Sequence, residues 1–278
     1  MGFGDFSRIG SNIQALEALN SLNRVNVQLG IHQLRLATGK RINTAEDDAA
    51  GFFIARGLQA RNKGLGAALS NIGDAKNMLA IAEGGLGNIL DILERMKEKV
   101  TQAASDTLGA KERNAIEDEL DALAAEIDDI VTETTFNGVQ LLTSVSKTIQ
   151  AGAETTDTLV VTVTSSSHTA GALGVKDASL VVTSSANAST ALGRVNTAIS
   201  TVKTSITKIG AVQSRLTTKE STLSTAVTNT EASRSRIMDS DFAREQLEAL
   251  KLQIMQQTAT ASLAQANAAP QVLLSLFQ

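Results

Sequence analysis

Six large apolar residues, Leu65, Ile72, Leu79, Leu86, Leu93 and Val100, stand seven apart, and Ala68, Ala75, Ala82, Ile89, Met96 and Ala103 run between them at the same interval. Two interleaved rows at this spacing are the a and d positions of a helical seam. No proline interrupts the stretch from Asp48 to Ala104, so one helix over it would be on the order of 85 Å long. A bundle helix in a globular core would show the same rows, but a compact core cannot cover a seam of that length. Long partner helices from the same chain, and from other chains, have to cover it. Gly64, Gly66, Gly73, Gly84, Gly85 and Gly87 each cost roughly 1 kcal/mol of helix propensity against Ala. They belong where backbones pack tightly or where the helix bends.

The composition narrows the function classes. The chain has 278 residues, a net charge of −4, no Cys, Trp or Tyr, seven Phe and one Pro. There is no global basic field for nucleic acid, no thiol chemistry, and little aromatic material for a ligand cavity. Met1 to Asn12 lacks a basic region followed by an apolar run, so no Sec signal is visible. No stretch is apolar and long enough to span a bilayer.

From Ser7 to Leu36 the pattern is helical. Ile9, Ile13, Leu16, Asn20, Asn23 and Val27 form one row and Leu22, Leu29 and Leu36 another, a stripe wider than one partner helix covers. Gly39 reads as a helix stop. Thr44 to Asp47 reads as a helix start, with the Thr44 hydroxyl accepting the Asp47 N–H and Glu46, Asp47 and Asp48 at the positive end of the helix dipole. A cation site or a catalytic acid pair is the alternative reading of those acids.

Ser105 to Gly109 reads as a turn. Ile116, Leu120, Leu123, Ile127 and Ile130 then mark a helix folding back as a hairpin, and Asn137-Gly138 marks a tight turn. From Thr143 to Ser189 the chain is rich in Ser and Thr, with β-like runs at Thr158–Thr164 and Ser179–Ser184. These predict one or two hairpins on the flank of the helices. Asn187-Ala188-Ser189 is a formal glycosylation sequon. Helical rhythm resumes at Leu192 and runs through Val195, Ile199, Val202, Ile206, Ile209, Leu216 and Leu223. Ser235 to Phe242 is a second break. The last helix carries Leu247, Leu250, Ile254 and Ala261 on one side, and from Leu252 to Gln278 no residue is charged. A tail so neutral is built for burial against protein, and both termini are expected to be disordered in the free monomer and to fold only on assembly.

These features predict a mainly α fold, a long antiparallel bundle or coiled coil of paired N- and C-terminal segments with a small β-hairpin insert. The expected division is a discontinuous inner coiled coil (1–43 and 235–278), a discontinuous helical wall (44–142 and 190–234), and a β-rich insert (143–189).

The run from Arg35 to Gly51 resembles the signature that follows the first helix of bacterial flagellins. Ala82-Glu83-Gly84-Gly85-Leu86, Thr134-Thr135-Phe136-Asn137-Gly138, Ser235 to Glu245, and Gln265-Ala266-Asn267 with the Leu-rich end resemble further flagellin motifs, in the family's order. Two departures stand out. Phe52-Phe53 replaces a smaller pair, and an expected Phe is missing near Thr148-Ile149-Gln150. The resemblance implies a filament subunit whose terminal helices line a narrow channel. It implies Ile13, Leu16, Leu22, Leu29, Leu247, Leu250, Ile254, Leu263, Leu273, Leu274 and Leu276 as terminal assembly residues. The implied partners are further copies of the chain, the flagellar export apparatus, a chaperone on the C-terminal end, and cap and hook-junction proteins. An innate immune receptor patch would fall on Arg95 and Glu119, with Lys99 where the family has Leu. The implied location is extracellular, without a Sec signal peptide. A hook–filament junction protein of the same architecture is the alternative. No catalytic, metal or cofactor residues are expected. His32 and His168 lie in different regions without ligand-spaced neighbours, and no phosphate loop or nucleophile motif is present.

Overall fold

The computed structural model describes residues 11–164, 166–176 and 180–276, with backbone alone from 269 to 276. It is mainly α. Helix α1 (Ile13–Thr38) begins where the Asn12 side chain accepts the Ala15 N–H at 3.0 Å and ends at Gly39, whose φ of 67° is left-handed. Helix α2 covers Ala49–Ala103 and α3 covers Ala110–Glu133. Two short hairpins follow, β1 (Thr135–Phe136) with β2 (Val139–Gln140), and β3 (Ser146–Gln150) with β4 (Thr158–Thr162), both antiparallel. Helix α4 (Ala170–Leu173) is one turn, α5 spans Ser185–Met238, and α6 spans Phe242–Leu276.

Two compact units emerge. One holds the described residues up to Ala60 and from Thr230 onward, and the other holds Arg61–Asn229. In the second unit α2 is sealed by α5 and α3 of the same chain, so this seam does not need the helices from other chains that its length predicts. Every residue of the two heptad rows from Leu65 to Ala103 is buried. On α5 the facing row is Ala188, Ala191, Val195, Ala198, Val202, Ser205, Ile209, Leu216 and Leu223, all buried. Lys76–Glu220 (2.8 Å), Glu83–Gln213 (2.9 Å) and Glu94–Lys203 (3.9 Å) flank the seam and show that the two helices run antiparallel. Helix α3 folds back on α2, burying Ile116, Leu120, Ala124, Ile127 and Val131, and Arg113 closes the turn by donating to the Ala103 carbonyl at 3.1 Å. The flanking ion pairs are at least partly solvated and contribute little; apolar burial holds the unit together.

The β1–β2 turn is made by Asn137 (φ 48°) and Gly138 (φ 77°), both left-handed as a two-residue hairpin turn requires. His168 is fully buried, with Nε2 2.9 Å from the Ser205 hydroxyl of α5 and its backbone N–H on the Leu142 carbonyl. Burial pushes its imidazole below the ordinary range.

Four expectations need correction. The start of α2 is not capped by the Thr44 hydroxyl. Asp47 accepts instead, from the backbone N–H groups of Asn43 and Thr44 and from the Thr44 hydroxyl, and the true cap is Asp48, which accepts the Gly51 N–H at 2.9 Å. A carboxylate is the stronger acceptor, and the N–H of Thr44, then that of Asn43, holds the Asp47 pKa low. The second break is only Asp239 to Asp241, because α5 stays helical to Met238 and Asp241 caps α6 through the Ala243 and Arg244 N–H groups. Helix α5 also starts earlier than Leu192, at Ser185, with the Ser184 hydroxyl on the Asn187 N–H. The described part of the run ending at Ser184, from Leu180, is no strand. Leu180 and Val182 are buried but have no ladder partner among the described residues, and 177–179 lie outside them. The strand partner of β4 is the largely polar Ser146–Gln150.

Of the seam glycines, Gly64 lies against Ala153 and Gly85 is the one most crowded by side chains. A Cβ there would sit 2.6 Å from the Thr134 hydroxyl, which is itself tied to the Ile130 carbonyl, and 3.0 Å from Leu142. Its neighbour Gly84 is exposed with nothing within 4 Å. Gly84→Ala is expected to stabilise the monomer by about 0.5–1 kcal/mol, and Gly85→Ala to destabilise it by about 1–3 kcal/mol. Denaturant midpoints of the two variants check the opposite signs.

His168 gives a pH dependence. Its folded pKa is depressed, so its contribution is fully present above the unfolded value of about 6.5 and is lost as pH falls through the lower folded value. The melting temperature is expected to fall on acidification below about pH 6.5, and His168→Gln to flatten part of that slope. Identical slopes in the two proteins would show that His168 is not the group responsible.

Candidate assembly surface

In the unit that contains both termini, α1 and α6 pair antiparallel. Asn12 donates to the Ala266 carbonyl at 2.7 Å, Gln256 donates to Asn26 at 2.7 Å, and His32 meets Glu245. On α1 the seam is Leu22, Val25, Leu29, His32 and Leu36, and on α6 it is Glu245, Ala249, Leu252, Gln256 and Leu263. Only Val25, Leu29, Ala249 and Leu252 form a buried apolar cluster, with Leu36 against it. The layer next to it is polar. The His32 Nδ1–H donates to Glu245 Oε2 at 2.5 Å, and Arg35 approaches the other carboxylate oxygen at 3.8 Å. Polar groups in a two-helix seam fix register at a cost in strength. Beyond them the corner is locked by backbone. Arg41 N–H donates to the Met238 carbonyl at 2.6 Å, the Arg41 guanidinium donates to the Ile237 carbonyl at 2.8 Å, and Ser240 N–H donates to the Gly39 carbonyl at 3.0 Å.

The narrow seam leaves much apolar surface outside. Ile13, Leu16, Leu19, Val27, Ile31 and Leu34 on α1 are exposed, as are Leu247, Leu250, Ile254 and Met255 on α6. Leu247 is 69% and Val27 65% exposed, and large apolar side chains exposed in such number on one helix pair mark an interaction surface. Leu22 and Leu263 are half-buried and Leu29 is buried in the pair. The side chains of Leu273, Leu274 and Leu276 lie outside the described residues, as does all of Ile9. Leu65, Ile72, Leu79, Leu86 and Leu93 are interior to the other unit. There, Arg95 is exposed and Glu119 is held by Lys99 at 2.7 Å.

Sequence reasoning missed Val25, Ala249 and Leu252 as the buried pairing core, and His32 with Glu245 as its polar layer. The signal existed: Leu22, Val25, Leu29, His32 and Leu36 keep a three-four rhythm that the bulkier rows beside them obscure. Among the described residues no group of His, Asp and Glu is placed to hold a metal ion, and no helix is long and apolar enough to cross a membrane.

Comparison with known proteins places this arrangement. The family model for the bacterial flagellin N-terminal helical region matches residues 9–148, and that for the C-terminal helical region matches residues 192–277. The chain is 37% identical to flagellin A of Vibrio anguillarum over 134 residues, covering 48% of this chain and 35% of that protein. It is 39% identical to a flagellin of Serratia marcescens over 153 residues, covering 54% and 44%. The matches thus span less than half the length of these relatives. A putative flagellar hook-associated protein from Vibrio parahaemolyticus shares the fold, with a TM-score of 0.57 at 16% identity over 69% of this chain and all of that one. With both helical regions matched in order at the two ends of one chain, this protein belongs to the bacterial flagellin family.

Proposed function

We propose that the chain is a structural subunit that polymerises into the bacterial flagellar filament used for swimming. The observation that carries this is the apolar surface that the α1–α6 pair leaves uncovered, with Ile13 and Leu16 on one helix and Leu247, Leu250 and Ile254 on the other. A two-helix pair can bury one stripe of each helix; the remaining stripes need helices from other copies. The role is structural, not catalytic. In this reading the terminal pair lines the filament channel, Leu263, Leu273, Leu274 and Leu276 add to the same contacts, and the chain works outside the cell after passing through the flagellar export apparatus. A chaperone would cover the C-terminal helix beforehand, and cap and hook-junction proteins would meet the ends of the polymer. Recognition by an innate immune receptor through Arg95 and Glu119 would be weakened, because Lys99 already occupies Glu119.

A junction protein between hook and filament would use the same paired termini, and polymer length separates the two roles. Concentrated protein is expected to form long homopolymers by negative-stain microscopy, whereas short rings or a persistent monomer would indicate the junction role. Replacing both Leu250→Gln and Ile254→Gln is expected to leave the circular dichroism of the monomer unchanged and to raise the critical concentration for polymerisation at least about tenfold. Normal polymerisation of that variant would remove the exposed α6 stripe from the account.

A further inference from the structure

An open polymer requires two different patches, one received by the other on the next copy. Resting on the filament-subunit reading, we propose that Phe53 is such a knob, seated in the groove lined by Met78, Phe136, Val139 and Ile149 of a second copy. Phe53 is 80% exposed, more than any other large apolar side chain among the described residues. Its neighbours on that face of α2 are Ala49, Ala50, Arg56, Gly57 and Ala60, all exposed, and nothing lies within 4 Å of where a Gly57 Cβ would be. Apart from Arg56, the ring therefore rises from a low strip of Ala and Gly that another backbone can approach closely. Phe52 differs: it is half-buried, and its ring lies under the Arg56 guanidinium at 4.9 Å, which holds a cation beside the knob.

The groove has the complementary form. It encloses about 390 Å³ in the unit Arg61–Asn229. Its floor is the buried Ala75 and Met78 of α2. Phe136 and Val139 are directly opposite each other across the β1–β2 hairpin, so their side chains share one face, and Ile149 of β3 supplies another wall. Methionine and phenylalanine suit an aromatic guest, through sulfur–ring and edge-to-face contacts. The rim carries one exposed charge of each sign, Asp74 of α2 and Lys147 of β3, and Asp74 is the one that the Arg56 cation beside the knob can meet. A second copy is the occupant to which the apolar lining points, because this chain itself carries an exposed aromatic ring of fitting kind with a cation for Asp74 beside it.

The chain has no cysteine, so introduced thiols are the only ones present. Phe53→Cys and Val139→Cys chains are mixed in equal amounts with excess wild type, polymerised, and treated with a short bis-maleimide. The expected result is a covalent dimer from the mixture in filaments, with none from the same mixture as dilute monomer and none from either variant polymerised alone. Phe53→Ala is expected to raise the critical concentration on the order of tenfold, with Phe53→Leu restoring most of it. Filaments without the Phe53→Cys to Val139→Cys product, or an unchanged critical concentration for Phe53→Ala, would overturn the knob while leaving the subunit reading intact. Failure of the wild-type chain to polymerise would overturn the reading on which the knob rests.

Discussion

A helical seam must be covered along its whole length, and in this chain that requirement decides the rest. From Leu65 to Ala103 both heptad rows of α2 are apolar, so a partner has to run beside it throughout. Helix α5 supplies an antiparallel row of Ala, Val, Ile and Leu, and α3 with the β hairpins closes the remaining side. Small residues make the approach possible: the alanine row on α2, and Gly85 where Thr134 and Leu142 leave no room for a methyl group. The insert caps the bundle's flank and buries His168, whose Nε2 meets the Ser205 hydroxyl and whose pKa burial lowers.

The same logic run short gives the terminal pair. Its buried apolar core is Val25, Leu29, Ala249 and Leu252, and the layers on either side are His32 with Glu245 and Asn26 with Gln256. Such layers fix which residue of α6 meets which residue of α1, but they do not make the pair strong. The bulkier side chains, including Leu16, Val27, Leu247 and Ile254, point elsewhere. A pair that specifies register inside and keeps its apolar surface outside is suited to incorporation into a larger helical array, where neighbours bury what the pair cannot.

The helical class and the extent of α2 were legible because seven-residue spacing without proline allows little else. Gly39 and Asn137-Gly138 were legible because each is a residue type that tolerates left-handed backbone, and each takes it. What periodicity could not settle was which of two apolar rows on α1 faces α6. Both rows carry large apolar residues, and the buried one, with Leu22 and Leu29, also contains Val25 and a histidine that lies opposite Glu245. The Ser146–Gln150 strand was hidden because its sequence is largely polar and its order comes from pairing with β4. Cap identity was ambiguous because Thr44, Asp47 and Asp48 all suit the position, and the loop geometry decided among them.

The central claim is that the terminal pair is marginal alone and is completed by other copies. Amide hydrogen exchange along α6 from Leu252 to Ala268, compared with α2 from Leu65 to Val100, measures this directly in dilute monomer and in filament. The account predicts strong protection of α2 in both states, weak protection of α6 in the monomer, and a large rise in α6 protection on assembly. Protection of α6 in the dilute monomer equal to that of α2 would contradict it.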